Sequence, residues 1–195
     1  MTLLTPSRFA LAVVLCAAAV GPSTAEAQSA NSEAAMVLRI LNYDRSLSSR
    51  VSSGGRVTLI ALYDPSDASS RRFCEDLSRA VVQLGRVVRV GGKRAHAELV
   101  AYSGTADLIE RGRAARAVGV YVCPGLESRT AAISAATRSA RLLSMTPAEA
   151  EVRAGLTVGL VRGGSQLRLF VNVTAARAEG ARLDAALLRL ATVVR

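Results

Sequence analysis

Apolar and polar residues alternate along the chain in two patterns, one typical of buried strands and the other of amphipathic helices. Nearly continuous apolar runs predict strands covered on both faces at residues 57–63 and 117–123. Shorter apolar stretches predict additional strands at residues 87–90, 97–102 and 141–144. Helical patterns of apolar residues predict helices at residues 33–47, 69–84, 105–113 and 126–137.

The C-terminal part of the chain predicts a hairpin and a final helix. Two apolar stretches, residues 156–162 and 166–173, are joined across Gly163-Gly164 and predict antiparallel strands. Apolar residues at helical spacing between positions 183 and 194 predict a closing amphipathic helix.

The order of these elements predicts the fold class. One more helix is predicted to begin at Thr146-Pro147-Ala148-Glu149, with Thr146 as its cap and Pro147 in the first helical position. Strands and helices that alternate in this way predict an α/β single-domain sandwich with a mostly parallel central sheet and helices on both faces. The C-terminal antiparallel hairpin and the closing helix complete the prediction.

The N-terminus has the charge and hydrophobicity pattern of a secretory signal peptide. Arg8 precedes an apolar run at residues 9–20, Gly21-Pro22-Ser23 ends that run, and Ala25-Glu26-Ala27 offers small residues for cleavage. The apolar run is shorter than the roughly 20 residues that span a bilayer. We therefore predict a signal peptide at residues 1–27, a mature domain at residues 28–195 and a periplasmic location. An uncleaved N-terminal anchor is the alternative.

The charge of the chain is strongly positive, with a formal net value of +10. A positive net charge of this size is compatible with nucleic-acid binding. Export, the absence of Trp and the scattered positions of the arginines argue against a nucleic-acid partner. Solvated surface arginines explain the charge most simply, and attraction to an anionic membrane surface or an acidic partner is the other interpretation.

Two of the three cysteines, Cys74 and Cys123, lie in the predicted mature domain, whereas Cys16 lies in the signal peptide. An oxidising compartment favours a disulfide between them. Helix geometry opposes it, because Cys74 lies about two turns into its helix, on the order of 10 Å below the strand end that Cys123 occupies. Two buried free thiols are the alternative.

A search for catalytic patterns finds no catalytic, metal or cofactor site. His96 is the single histidine and lies in a basic stretch, and neither a G-x-S-x-G motif nor a phosphate-binding loop is present. The pattern therefore predicts a protein that is not an enzyme.

The end of the first apolar strand is the predicted ligand or partner edge, formed by Tyr63, Asp64 and Asp67. Ligands bind beyond the carboxyl ends of strands in open α/β sheets. The alternative is that the two aspartates only cap and turn the loop.

The closing helix is the predicted interface of a homodimer. It is more widely apolar than one packing stripe requires, and Leu190 lies off the main stripe. We predict that Leu187, Leu190 and Val194 contribute to this interface.

The C-terminal sequence resembles the YfiR-like family of periplasmic proteins. The resemblance lies in Gly155-Leu156-Thr157-Val158-Gly159-Leu160-Val161, in Gly163-Gly164, in Leu169-Phe170-Val171-Asn172 and in the tail Leu187-Leu188-Arg189-Leu190-Ala191. It implies a non-enzymatic regulator whose partner is the periplasmic domain of a membrane-anchored sensor or diguanylate cyclase, in cyclic-di-GMP signalling. A periplasmic small-molecule (solute) binding protein is the alternative function.

Overall fold

The computed structural model describes residues 24–51, 55–164 and 166–194. Most of the predicted signal peptide and Cys16 lie outside these residues. Within them, eight strands form one sheet: β1 (Val57–Tyr63), β2 (Arg89–Val90), β3 (Lys93–Ala101), β4 (Ala117–Val122), β5 (Leu143–Thr146), β6 (Val158–Gly163), β7 (Gln166–Asn172) and β8 (Thr192–Val194).

Eight α-helices and one 3₁₀ turn connect the strands of this described part. The helices are α1 (Thr24–Asn42), α2 (Leu47–Arg50), α3 (Ala68–Leu84), α4 (Thr105–Ala114), α5 (Thr130–Ala140), α6 (Glu149–Arg153), α7 (Val173–Ala178) and α8 (Ala185–Leu190). The 3₁₀ turn is Glu127–Arg129. None of the helices in the described ranges is both long and apolar enough to cross a membrane.

The sheet is mostly parallel, as predicted. Its strand order is β2-β3-β1-β4-β5-β6-β7-β8. Strands β3, β1, β4, β5 and β6 run parallel to one another, whereas β2 is antiparallel to β3 and β7 is antiparallel to β6. The predicted α/β fold with its C-terminal hairpin is therefore confirmed.

Helices cover both faces of the sheet, as the apolar character of the central strands requires. On one face, α1 and α3 pack on a core that includes Leu38, Leu59 and Leu77. On the other face, α4 and α5 pack on a core that includes Ile60, Leu108 and Ile133. Side chains of β1 alternate between the two cores, because successive residues of a strand point to opposite faces.

The first predicted helix ends earlier than expected, at Asn42 rather than near position 47. The chain turns there because the buried carboxylate of Asp44 binds groups outside the helix. It accepts hydrogen bonds from the backbone N–H groups of Ser46 and Arg182, each at 2.9 Å. A separate short helix, α2, follows.

The predicted helix cap at Thr146 is wrong. Thr146 is the last residue of β5, and α6 begins only at Glu149, with Ala148 before it. The Thr146 hydroxyl instead donates a hydrogen bond to the buried carboxylate of Glu151. Burial raises the pKa of Glu151.

The closing helix is also shorter than predicted. Helix α8 ends at Leu190, and residues Thr192–Val194 form strand β8, which pairs with β7 in parallel. Threonine and valine are β-branched and favour extended backbone, which explains the change from helix to strand.

Candidate binding site beside the carboxyl ends of the parallel strands

The topology places a switch point at the carboxyl ends of β1 and β4. The chain leaves β1 for β3 through α3 on one face of the sheet, and it leaves β4 for β5 through α5 on the other. Counted in chain order, the five parallel strands follow the doubly wound order 2-1-3-4-5, in which ligands bind at such a switch point.

The predicted edge residues Tyr63, Asp64 and Asp67 lie together at this switch point. Asp64 accepts hydrogen bonds from the backbone and hydroxyl of Ser66, at 2.8 and 2.6 Å. Asp67 caps α3 by the same two contacts with Ser69, at 2.8 and 2.6 Å. These hydrogen bonds lower the pKa of both aspartates. The two carboxylates therefore order the loop, and their role toward a ligand stays a prediction.

The loop after β4 packs directly against the loop after β1 at the switch point. Gly125 has φ +97°, and a β-carbon there would approach the Asp67 carboxylate at 3.0 Å. A glycine is required at this position by both its backbone angle and the close approach. The loops that follow β1 and β4 are therefore in close contact at the switch point.

A disulfide joins Cys74 of α3 to Cys123 directly after β4. Their Cα atoms are 6.0 Å apart and both residues are fully buried. This separation is within the range that a disulfide requires, so the separation of about 10 Å expected from helix geometry is not observed. The bond attaches the N-terminal half of α3 to the sheet.

A groove of about 270 Å³ opens between α1 and α3, beside the disulfide. Its walls are mostly apolar, with charged groups from α1 and α3. The lining residues are Ser29, Ala30, Glu33, Ser69, Arg72, Phe73, Asp76 and Leu77. The Phe73 ring stacks on Tyr121 of β4, with ring centroids 6.2 Å apart.

A buried acid lies against this groove. Glu33 is only 4% exposed, and it accepts a hydrogen bond from the hydroxyl of Tyr121, which is fully buried. Burial raises the pKa of the Glu33 carboxyl, and burial together with the nearby Glu33 charge raises the pKa of Tyr121 well above 10.0. The hydrogen bond from Tyr121 and, to a smaller extent, the charge of Arg162 oppose this rise in the pKa of Glu33.

The family of the chain follows from a comparison with family models. The model described as YfiR/HmsC-like matches residues 30–192, which include every strand of the sheet except the last two residues of β8. The chain belongs to the YfiR/HmsC-like family. This membership supports, in general terms, a regulatory protein of the periplasm.

Two solved structures share the fold of this YfiR/HmsC-like chain. One is the ABC domain in complex with L-Trp from Streptococcus pneumonia, with 14% identity, a TM-score of 0.56 and 80% of this chain covered. The other is a conserved domain protein from Vibrio cholerae, with 14% identity, a TM-score of 0.59 and 85% covered. The match spans 60% of each of those chains. No curated protein matches the chain.

Sequence reasoning did not identify the Glu33–Tyr121 pair of this family member. The signal was present on α1, because Glu33 lies on the apolar stripe with Val37 and Ile40. On β4, Tyr121 is the one residue with a polar group in an otherwise apolar strand. A carboxylate and a phenol at buried positions require hydrogen-bond partners, so each could have been matched to the other.

The predicted interface residues do not share one exposed surface. Leu187 and Val194 are buried within the chain, at 1% and 4% exposure, whereas Leu190 is 67% exposed. An interface through Leu187 and Val194 is therefore wrong, because their side chains already pack in the core. Their neighbour Val193 is 48% exposed and lies on the edge strand β8.

Proposed function

We propose that this chain is an exported, non-enzymatic regulator that binds the periplasmic domain of a membrane-anchored sensor, with a diguanylate cyclase as the first candidate. Membership of the YfiR/HmsC-like family supports the general role. The observation that carries the proposal is the groove between α1 and α3, which has the composition of a binding surface rather than of a catalytic centre.

The groove combines apolar area with charged groups at defined positions. Phe73 and Leu77 supply apolar surface that gains stability when a partner covers it. Arg72 and Asp76 lie in the same wall, and such charges favour a complementary partner over others.

The walls of the groove are ordered before any partner arrives. The disulfide attaches α3 to the end of β4, and the Tyr121–Glu33 hydrogen bond connects β4 to α1. A preorganised surface loses less conformational entropy on binding, which favours affinity. This rigidity supports recognition of one particular partner.

A genetic experiment tests the regulatory role. Deletion of the gene is expected to raise cyclic-di-GMP and biofilm, and the wild-type gene is expected to restore both. The variant Arg72→Glu reverses one charge in the groove and is expected to fail to restore them. Arg113→Glu, an exposed residue of α4 on the other face, is the matched control and is expected to restore them.

A biochemical experiment tests the partner. The chain is crosslinked in the cell envelope, and the captured proteins are identified by mass spectrometry. We expect a membrane protein with a periplasmic sensor domain, captured by wild type and Arg113→Glu and lost in Arg72→Glu. Equal capture by all three would show that the groove is not the partner site, and no envelope partner would contradict the proposal.

Small-molecule binding is the second candidate function. The groove, at about 270 Å³, is close to the lower limit of the roughly 300–1,000 Å³ typical of ligand pockets. A thermal-shift screen of metabolites distinguishes the two functions, because a ligand that binds only the folded state raises the melting temperature. Stabilisation that Arg72→Glu abolishes would favour this candidate.

A further inference from the structure

Three arginines form a row across the edge of the sheet that is opposite β8. Arg89 of β2 lies directly opposite Arg94 of β3 in the antiparallel ladder. Arg56 directly precedes Val57, which pairs with Ala95, so Arg56 lies beside Arg94 at the start of β1. All three arginines are exposed.

The three guanidinium groups belong to one face of the sheet. Their chain neighbours Val90, Ala95 and Val57 are buried in the core beneath α1 and α3. Because successive side chains alternate between faces, the arginines lie on the opposite face. Adjacent strands are about 4.8 Å apart, so the row concentrates three positive charges within a short distance.

No ion pair within the described residues neutralises this row. The six ion pairs found there involve other arginines. Like charges directly opposite one another destabilise an antiparallel pair. An anion that binds both Arg89 and Arg94 would remove that repulsion, and the planar guanidinium group is well suited to bidentate contact with phosphate.

Two exposed apolar residues directly precede Arg89 in the chain. Val87 and Val88 directly precede β2 and are 77% and 40% exposed. They end the turn after α3. Arginines next to exposed aliphatic residues are the combination that favours contact with an anionic bilayer, where phosphate binds the cations and the interface accepts the apolar groups.

We infer that this surface, Arg56, Arg89 and Arg94 with Val87 and Val88, binds an anionic phospholipid surface. An acidic protein is the other class of polyanion that could fit. The phospholipid is favoured because the surface offers two small valines and no aromatic side chain, whereas central anchors of protein interfaces are enriched in Trp and Tyr. This inference is independent of the partner of the α1–α3 groove.

Vesicle cosedimentation tests the inference with the full chain purified from the periplasm. We expect binding to phosphatidylcholine vesicles that contain one-third phosphatidylglycerol, weaker binding as salt is raised, and none to pure phosphatidylcholine. Each arginine near an anionic surface contributes about fivefold in affinity, so Arg56→Gln/Arg89→Gln/Arg94→Gln is expected to bind about 100-fold more weakly.

A matched triple variant controls for net charge. Arg129→Gln/Arg177→Gln/Arg189→Gln removes three exposed arginines from the 3₁₀ turn, α7 and α8, and its affinity for anionic vesicles is expected to fall less than about tenfold because only the long-range attraction declines. Val87→Ser/Val88→Ser keeps the charge and is expected to bind several-fold more weakly. Equal losses in the two triple variants, or no binding to anionic vesicles by wild type, would overturn the inference. Capture of an acidic protein through the row, without vesicle binding, would assign the surface to a protein instead.

Discussion

The hydroxyl of Tyr121 donates a hydrogen bond to the carboxylate of Glu33, and this contact joins the central strand β4 to helix α1 across the core. Tyr121 is fully buried and Glu33 is 4% exposed. Burial raises the pKa of Glu33 because its charged form loses hydration. The hydrogen bond from Tyr121 opposes this rise, because it stabilises the charged carboxylate.

The raised pKa of Glu33 predicts a pH-dependent contribution to stability. The Glu33 carboxyl binds a proton at a higher pH in the folded protein than in the unfolded chain. The free energy of unfolding therefore rises as pH falls from neutral toward 4.5, the ordinary pKa of a glutamate. Glu33→Gln is expected to flatten this dependence in chemical denaturation at several pH values. Glu75→Gln, a surface acid paired with Arg71, is the control and should keep the wild-type slope. A wild-type slope in Glu33→Gln would contradict the prediction.

Glu179 lies at the centre of a second buried polar network. We expect its mutation to cause a large loss of stability. Its carboxylate accepts hydrogen bonds from the hydroxyls of Thr137, Ser144 and Thr157 and from the Ser144 backbone, at 2.5–2.9 Å. Glu179→Ala leaves these buried donors unsatisfied and is expected to cost about 3 kcal/mol or more.

Glu179→Gln distinguishes hydrogen bonding from packing at the same site. Its amide NH₂ would face donors rather than acceptors, so we expect a loss of about 2 kcal/mol in urea denaturation despite the similar volume. The surface control Glu149→Gln should change stability by less than about 0.5 kcal/mol. Glu179→Gln as stable as wild type would show that the network does not need the carboxylate.

Asp44 and Arg50 form a buried ion pair, and we expect the protein to lose stability when either partner is removed. Burial tends to raise the pKa of Asp44, but hydrogen bonds from Ser46 and Arg182 and the Arg50 charge outweigh it and lower the pKa below 3.8. Arg50 also donates to the carbonyls of Val118 and Arg141, at 2.8 and 3.1 Å. Arg50→Leu is expected to cost about 3 kcal/mol.

Acid titration checks the same pair. A lowered pKa stabilises the fold above 3.8, and this stability is lost as pH falls through the folded value. Asp44→Asn is therefore expected to be less stable than wild type at neutral pH and to approach it in acid. Arg153→Leu removes an exposed arginine, 60% accessible in its pair with Glu149, and should change stability by less than about 1 kcal/mol.

The disulfide between Cys74 and Cys123 is expected in the exported protein. Mass spectrometry of unreduced, alkylated chain should show neither cysteine alkylated. The bond spans 49 residues, and a loop of that size contributes about 4 kcal/mol through the unfolded chain. Cys74→Ala/Cys123→Ala should lose about 2–4 kcal/mol. Alkylation of both thiols without reduction would instead show two buried free cysteines.

The homodimer remains a prediction. Of the three interface residues predicted from the sequence, only Leu190 is exposed. Leu190 and Val193 are exposed beside the edge strand β8, and such an edge can pair with a second copy. Light scattering at micromolar concentration is expected to give the mass of a dimer, and Leu190→Glu to shift it to a monomer. The control Thr174→Glu, an exposed position on α7, should leave the dimer intact. A wild-type monomer would refute the prediction.

The periodicity of the sequence predicted most elements of the fold. The runs at 57–63 and 117–123 became β1 and β4 within one residue, because a strand covered on both faces must be apolar throughout. The hairpin after position 156 was predicted from its paired glycines. At residues 192–194 the helical spacing of apolar residues predicted a helix, whereas the β-branched composition favours a strand. The structure has a strand there, because these residues pair with β7.

What the sequence by itself determined was the α/β class and, through its C-terminal pattern, the family, because both depend on local periodicity and motif. Only the tertiary structure brought Glu33 to Tyr121 and Arg89 beside Arg94, and joined Cys74 to Cys123. Glu33 and Tyr121 are 88 residues apart in the chain. Contacts over such separations depend on strand order and on the depth at which each helix begins, and local sequence patterns encode neither.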